Sequence, residues 1–364
     1  MSTKRRRSRG NPAKPLKQSG PGRPSSTSPG STSRSTSRST SRPARPPATG
    51  GAISGFGFGS LGGVEIPPPS GVLYPQLLRR EGEPRRLAIG RALIGIAVAL
   101  SLYFLLVSVV SQGVVMLSWT ITSPTLSYAD YSKAALAFRL PAGMLGTNLG
   151  IACLIPITFA AMMVVHQVRP RWLGSIRPRI RWSYLFVSLG IAAVSLAAVF
   201  ALSTLAGPAA QLKPQPNFWV FMIIILLTSP LQAAGEEYLF RGYLLQAFGS
   251  MVKNPWFGVL VSSVVFAAFH GLQNPPLFLD RLAFGILAAI LVMKTGGLEA
   301  GIGAHVINNV YAFGLAGLTS SIAQSRALTS IGWLDALFDV GGFALFAVLA
   351  YLAARLLKLR NRTV

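Results

Sequence analysis

The stretch ALIGIAVALSLYFLLVSVVSQGVVMLSW, residues 92–119, opens a run from Ala92 to Ala129 that contains no charged residue. A helix rising about 1.5 Å per residue crosses a hydrocarbon core of about 30 Å in roughly 20 residues. The run is longer than that, so it reads as one spanning helix with a re-entrant or external extension. Similar apolar windows follow at 143–165, 184–207, 218–236, 256–272, 282–294, 300–318 and 338–354. Together they predict an all-α polytopic membrane protein with about eight transmembrane helices. The sixth and seventh windows are the weakest, being short and interrupted by Lys294 and Glu299.

Composition agrees with the windows and divides the 364-residue chain. Hydrophobic residues make up 51% and charged residues 12%, about half the usual charged share of a soluble protein, so a soluble surface cannot be built from them. The net charge is nevertheless +24, from 34 Lys and Arg against 10 Asp and Glu. Residues 1–50 hold twelve of those bases and no acid, and Ser-Thr-Ser-Arg repeats three times from Ser31 to Arg42. Such a segment buries too little apolar area to offset ordering entropy, which predicts a disordered basic tail over 1–50. A Gly- and Pro-rich linker and juxtamembrane segment follows at 51–86, then the transmembrane domain at 87–360. No apolar h-region follows Lys4-Arg5-Arg6-Arg7, so these residues do not read as a signal peptide. The tail suits a topology-setting extension or a contact with anionic lipids. Nucleic acid is disfavoured, because no aromatics are interleaved for base stacking. The single cysteine, Cys153, excludes an intrachain disulfide and a cysteine-based zinc cluster.

The bases also orient the spans. With eight helices and the N-terminus inside, the inner connections hold Arg169, Arg171, Arg177, Arg179, Arg181, Arg241, Lys253 and Lys294, with Arg355 to Arg362 at the end. Only Lys133, Arg139, Lys213, Arg281 and Arg326 fall outside. The positive-inside rule then places both termini in the cytoplasm of a cell-membrane protein.

Against this background the polar residues inside apolar helices carry the chemistry. Glu236 and Glu237 follow the apolar run Phe218 to Gly235, and an acid at the centre of a span costs roughly 2.5–3.5 kcal/mol on insertion scales. Glu237 and Arg241 are four apart and share a helix face, so they read as an ion pair, while Glu236 is turned about 100° away and left available. His270 lies four residues after Phe266 in an apolar helix, and His305 and Asn309 share one face of another. His166, at the basic end of the second span, reads as an interhelical hydrogen-bonder.

The three motifs Glu236-Glu237-x-x-x-Arg241, Phe266-x-x-x-His270 and His305-x-x-x-Asn309, in this order, resemble those of the CPBP (Abi) family of intramembrane proteases, which includes the type II CAAX prenyl endopeptidases. The resemblance covers about residues 180–320, the expected protease core. It implies hydrolysis of a peptide bond in a membrane-associated protein or peptide. Glu236 would be the general base, with His270, His305 and Asn309 catalytic beside it and Glu237, Arg241 and Phe266 in support. It also implies a divalent metal, most simply zinc, with His270 and His305 as ligands. The alternative is that the histidines and Asn309 hold water and donate to an oxyanion without metal. Since Glu236 and Arg241 close the fourth window at its inner end, the site is expected near the cytoplasmic side. His270 fits this less well, because the same count puts it toward the outer end of the fifth window. A non-proteolytic transporter, or an immunity or scaffold protein, remains as the competing reading; no convincing internal repeat favours the transporter.

Overall fold

The structure, a computed structural model, describes residues 66–205, 211–271 and 273–364. The chain divides into two units, Met1–Phe58 and Gly59–Val364, and all described residues belong to the second. The tail expected to be disordered and most of the linker lie outside the described residues. Helices account for 75% of the described residues, and none of these forms a strand.

In chain order the helices are α1 (Arg85–Thr122), α2 (Tyr128–Leu136), α3 (Pro141–Ala152), α4 (Leu154–Val164), α5 (Arg171–Gly174), α6 (Trp182–Leu205) and α7 (Phe218–Glu237). A π-helical turn at Tyr238–Leu244 joins α7 to α8 (Leu245–Met251), and α9 (Trp256–Ala268), α10 (Pro275–Thr295), α11 (Glu299–Thr319), α12 (Ile322–Arg326) and α13 (Trp333–Leu356) follow.

Local sequence accounts for the boundaries that matter. The long apolar run stays helical to Thr122 and stops at Ser123, which takes a left-handed φ of 40° ahead of Pro124; its expected extension is therefore the continued helix followed by α2. The second window is interrupted at Cys153 because Pro156 has no N–H and its ring crowds the carbonyl four residues earlier. Asn274 caps α10 by accepting from the Leu277 N–H at 3.2 Å, and Gly296, at φ 75°, ends it.

Six helical rods are long and apolar enough to cross a bilayer: Arg85–Thr122, Pro141–Val164, Trp182–Ser203, Phe218–Met251, Pro275–Thr295 and Trp333–Leu356. Each of the eight expected windows contains a helix among the described residues, but two of these helices fall short of spanning length or apolarity. α9, with 13 residues, rises only about 20 Å. α11 carries Glu299, His305, Asn308 and Asn309 and is held in the bundle between α6 and α7. The rods turn apolar side chains such as Leu93, Phe104, Leu117, Val194 and Leu227 outward, as a lipid-facing belt requires.

The fourth window differs most from expectation. α7, the π-turn and α8 form one 34-residue rod, so Glu236 and Glu237 sit inside it and do not close it. Helices approach closely where side chains are smallest. A Cβ on Gly235 would lie 2.6 Å from the Ile151 carbonyl oxygen of α3, which is how α3 and α7 pack at backbone distance.

The two ends of the bundle are chemically different. At one end Leu73 pairs with Arg362, Ser175 with Gly297, and Gln76 donates to the Lys253 carbonyl at 2.7 Å. This gathers segments 72–91, 166–181, 249–256, 294–299 and 355–363, so the chain enters α1 and leaves α13 on one side. The described part of the expected linker, 66–86, does more than link: Tyr74, Leu77 and Leu78 are buried, and the Tyr74 hydroxyl donates to the Leu173 carbonyl. At the opposite end Lys213 donates its N–H to Leu318 O at 2.7 Å and Asn274 its N–H to Thr329 O at 2.9 Å. That end carries Lys133, Arg139, Lys213, Arg281 and Arg326.

Candidate active site

Halfway along the bundle, α7, α9, α10 and α11 bring the intramembrane polar residues to one cavity of about 960 Å³, whose wall includes Glu236, His270, His305 and Asn309. The two glutamates face different ways. Glu237 is fully buried and its Oε1 lies 3.0 Å from Arg241 Nη1, one helical turn on. Phe266 lies under the guanidinium, 3.8 Å from its ring centroid, and Phe284 stands 5.0 Å away, so the buried cation is held by a carboxylate and two aromatic faces. Glu237 has a second partner: His305 Nδ1 donates to the same Oε1 at 2.9 Å. The other oxygen, Oε2, lies against Gly301, where a Cβ would come within 2.6 Å of it. Glycine at 301 is what lets α11 approach this carboxylate.

With Nδ1 committed to Glu237, His305 turns Nε2 toward Glu236, whose Oε2 is 3.4 Å away. That separation is long for a hydrogen bond and short for two lone pairs facing each other. Gln232 holds the far side of Glu236, donating from Nε2 to Oε1 at 2.7 Å, and its own Oε1 accepts from Asn309 Nδ2 at 2.7 Å. Glu236 is thus oriented from both sides while remaining open to the cavity.

His270 lies just past the end of α9 and is exposed toward the cavity. Its Nδ1 donates to the Phe266 carbonyl at 2.8 Å, which leaves Nε2 as an acceptor. Phe266 sits between the two imidazoles, with ring centroids 4.6 Å from His270 and 6.2 Å from His305.

Each residue singled out by spacing therefore borders this region. Two contributors were not singled out: Phe284 on α10, 5.3 Å from the His305 ring, and Gln232. The signal for Gln232 was present, since it is a polar residue in an apolar run four positions before Glu236. Phe284 carried none, because nothing in sequence distinguishes it from other apolar residues of α10. His166 lies elsewhere: its Nδ1 accepts from Arg91 at 3.1 Å and its Nε2 pairs with the Tyr243 hydroxyl at 3.0 Å.

The donor set does not fit the metal site implied by the motifs. Among the described residues no group of three or more His, Cys, Asp or Glu is arranged to hold a metal ion. Both nitrogens of His305 face carboxylates, and the inner one is tied to a glutamate already bound by Arg241. The expected ligands His270 and His305 share a cavity wall without forming a ligand set.

The described residues form a helical bundle with membrane-spanning rods, and a Glu–His–Glu–Arg constellation stands in and beside its cavity. Residues 215–311 match the family model described as type II CAAX prenyl endopeptidase Rce1-like, and the matched stretch contains every motif residue named above. The chain is also 36% identical over 100 residues to the Uncharacterized protein YyaK of Bacillus subtilis (strain 168). That match covers 26% of this chain and 33% of the relative, so the chain spans about a third of the length of the curated relative it matches. No solved structure matches the chain.

Proposed function

We propose that the protein is an intramembrane endopeptidase that hydrolyses a peptide bond of a membrane-associated protein or peptide by activating water with Glu236. The observation that carries this reading is Glu236 Oε2, 3.4 Å from His305 Nε2 on the wall of a 960 Å³ cavity. A carboxylate open to a cavity and backed by an imidazole is a pair suited to activating water for amide hydrolysis.

In this mechanism Glu236 takes a proton from a cavity water as the water oxygen attacks the scissile carbonyl carbon. Negative charge develops on the carbonyl oxygen. Asn309 Nδ2 has a second N–H besides the one given to Gln232, which suits the oxyanion. The C–N bond then breaks, and the proton that Glu236 took from the water passes to the leaving amine. Glu237 and Arg241 keep His305 in one orientation throughout, as a carboxylate does for a catalytic imidazole. His270, with Nε2 open, accepts a hydrogen bond from the other hydrogen of the attacking water, which stays on the water oxygen. No step is routed through a metal.

The test is cleavage of membrane-associated substrates in cells carrying the wild type or Glu236→Gln, compared by mass spectrometry of membrane fractions. Glu236→Gln keeps shape and the Gln232 contact but cannot take a proton, so a loss of at least 10²-fold is expected. Equal cleavage by both would eliminate the mechanism and favour the non-enzymatic reading.

A further inference from the structure

The cavity has a direction. Its inner wall is Glu236, Phe240, Phe266 and His305, and from there its lining runs along α6, α11 and α13 to Gln273, Ser325, Arg326, Leu328 and Ile331. All of the latter belong to the end of the bundle where α10 and α13 begin. Toward the other end the site is sealed: Leu239, Tyr243, Leu244, Leu245 and Tyr74 are fully buried. Beyond them Arg181 is locked to Glu299, Nη2 to Oε2 at 2.6 Å.

That sealed end is the basic one. Segments 79–91, 169–181, 253, 294 and 355–362 meet there, whereas the open end sets five bases against Asp130, Asp280, Asp335 and Asp339. Excess Lys and Arg in short connections mark the cytoplasmic side of a membrane protein. We infer that the site opens to the extracytoplasmic face, and that its substrate is a peptide segment presented from that side, anchored in the outer leaflet or exported. This rests on the proposed hydrolase reading for the word substrate, but the direction of the opening stands without it. It reverses the cytoplasmic location expected from sequence, whose premise was that Glu236 closes its helix.

The experiment uses the full chain carrying Cys153→Ser, which removes its one cysteine. Single cysteines are introduced as Leu328→Cys and, independently, Ala327→Cys at the mouth, Asn308→Cys on the cavity wall, and Glu81→Cys at the basic end. Intact cells are treated with a charged, membrane-impermeant maleimide, with and without permeabilisation. The expected result is labelling at 327, 328 and 308 in intact cells, and at 81 only after permeabilisation. Labelling of 81 in intact cells, with 327 and 328 protected, would overturn the inference, as would a 308 position reached only from the basic side. Maleimide labelling does not depend on turnover. An inactive enzyme with this pattern would sink the hydrolase reading and leave the direction standing; an active enzyme with the reversed pattern would do the opposite.

Discussion

The contact between Gly301 and Glu237 makes the sharpest demand on the site. Alanine at 301 would place its Cβ 2.6 Å from Glu237 Oε2, about 0.8 Å or more inside normal contact. The carboxylate cannot swing away freely, because its other oxygen binds Arg241 at 3.0 Å and His305 at 2.9 Å. Either α11 retreats or Glu237 shifts, and both move His305 Nε2 relative to Glu236. A displacement near 1 Å in a reacting constellation costs about 10²-fold in rate, and it should fall on kcat with KM little changed, since the cavity wall that receives substrate is untouched. The fold should survive: overpacking costs about 1–3 kcal/mol, while alanine regains about 1 kcal/mol of helix propensity over glycine. Gly314→Ala is the matched control on the same helix, because its Cβ would meet only Met222, with Sδ at 3.6 Å and Cε at 3.7 Å. The assay pairs substrate cleavage rate with thermal unfolding in detergent for both variants. A folded Gly301→Ala protein that cleaves as fast as Gly314→Ala would refute the claim that Glu237 must hold His305 in place.

Three further outcomes are expected. Arg241→Met strands a buried carboxylate and should lower stability by about 3–5 kcal/mol, whereas Arg241→Met combined with Glu237→Gln should unfold at a higher temperature than Arg241→Met alone; a double variant no more stable than the single one would mean that the stranded carboxylate is not the source of the loss. His166, two residues past the second spanning rod, is held down to about 3 by burial, with Arg91 and Arg80 adding to it. The unfolded chain takes up a proton as pH falls through about 6.5 and the folded chain does not until about 3, so stability is full above that window and falls within it by up to about 1.4 kcal/mol per pH unit. His166→Gln should flatten that part of the unfolding profile, and an unchanged slope would assign it elsewhere. Finally, elemental analysis of the purified protein should find substoichiometric zinc and cleavage should survive chelation; stoichiometric zinc that disappears in His270→Ala would replace the metal-free mechanism with a coordinated one.

How much of this was legible in sequence depends on the scale of the signal. Spans announce themselves because a bilayer excludes unpaired polar backbone, and a charge-free run such as Ala92–Ala129 has few alternatives. Spacing of four residues likewise carried the pairing of Glu237 with Arg241, because a helix fixes which side chains are neighbours. What spacing could not carry is contact between helices. Gly301 is one of 37 glycines, and only the packing of α11 on α7 shows that Glu237 requires it. Phe284 became part of the site through the α10–α9 packing that sets it beside Phe266, ring centroids 5.8 Å apart. The packing of Tyr74 against Leu173 was hidden by the prolines and glycines around it, whose composition reads as linker.

The depth of His270 shows how one boundary error propagates. Hydropathy ends the fourth span at Glu236 because it scores each charge as if it were solvated. Inside the bundle, however, Glu237 and Arg241 neutralise each other and are covered by Phe266 and Phe284, so the helix continues to Met251. From Glu236 to Met251 the rod descends about 22 Å, and from Trp256 to His270 the chain climbs back about 21 Å. A hairpin with equal arms returns His270 to the level of Glu236, where a span ending at Glu236 would have left it at the far side of the membrane. The same 22 Å of helix beneath Glu236 puts packed protein between the site and the basic end, so water and substrate have their open route from the other face. The pairing that conceals these charges from hydropathy thus also fixes the depth of the site and the direction from which it is reached.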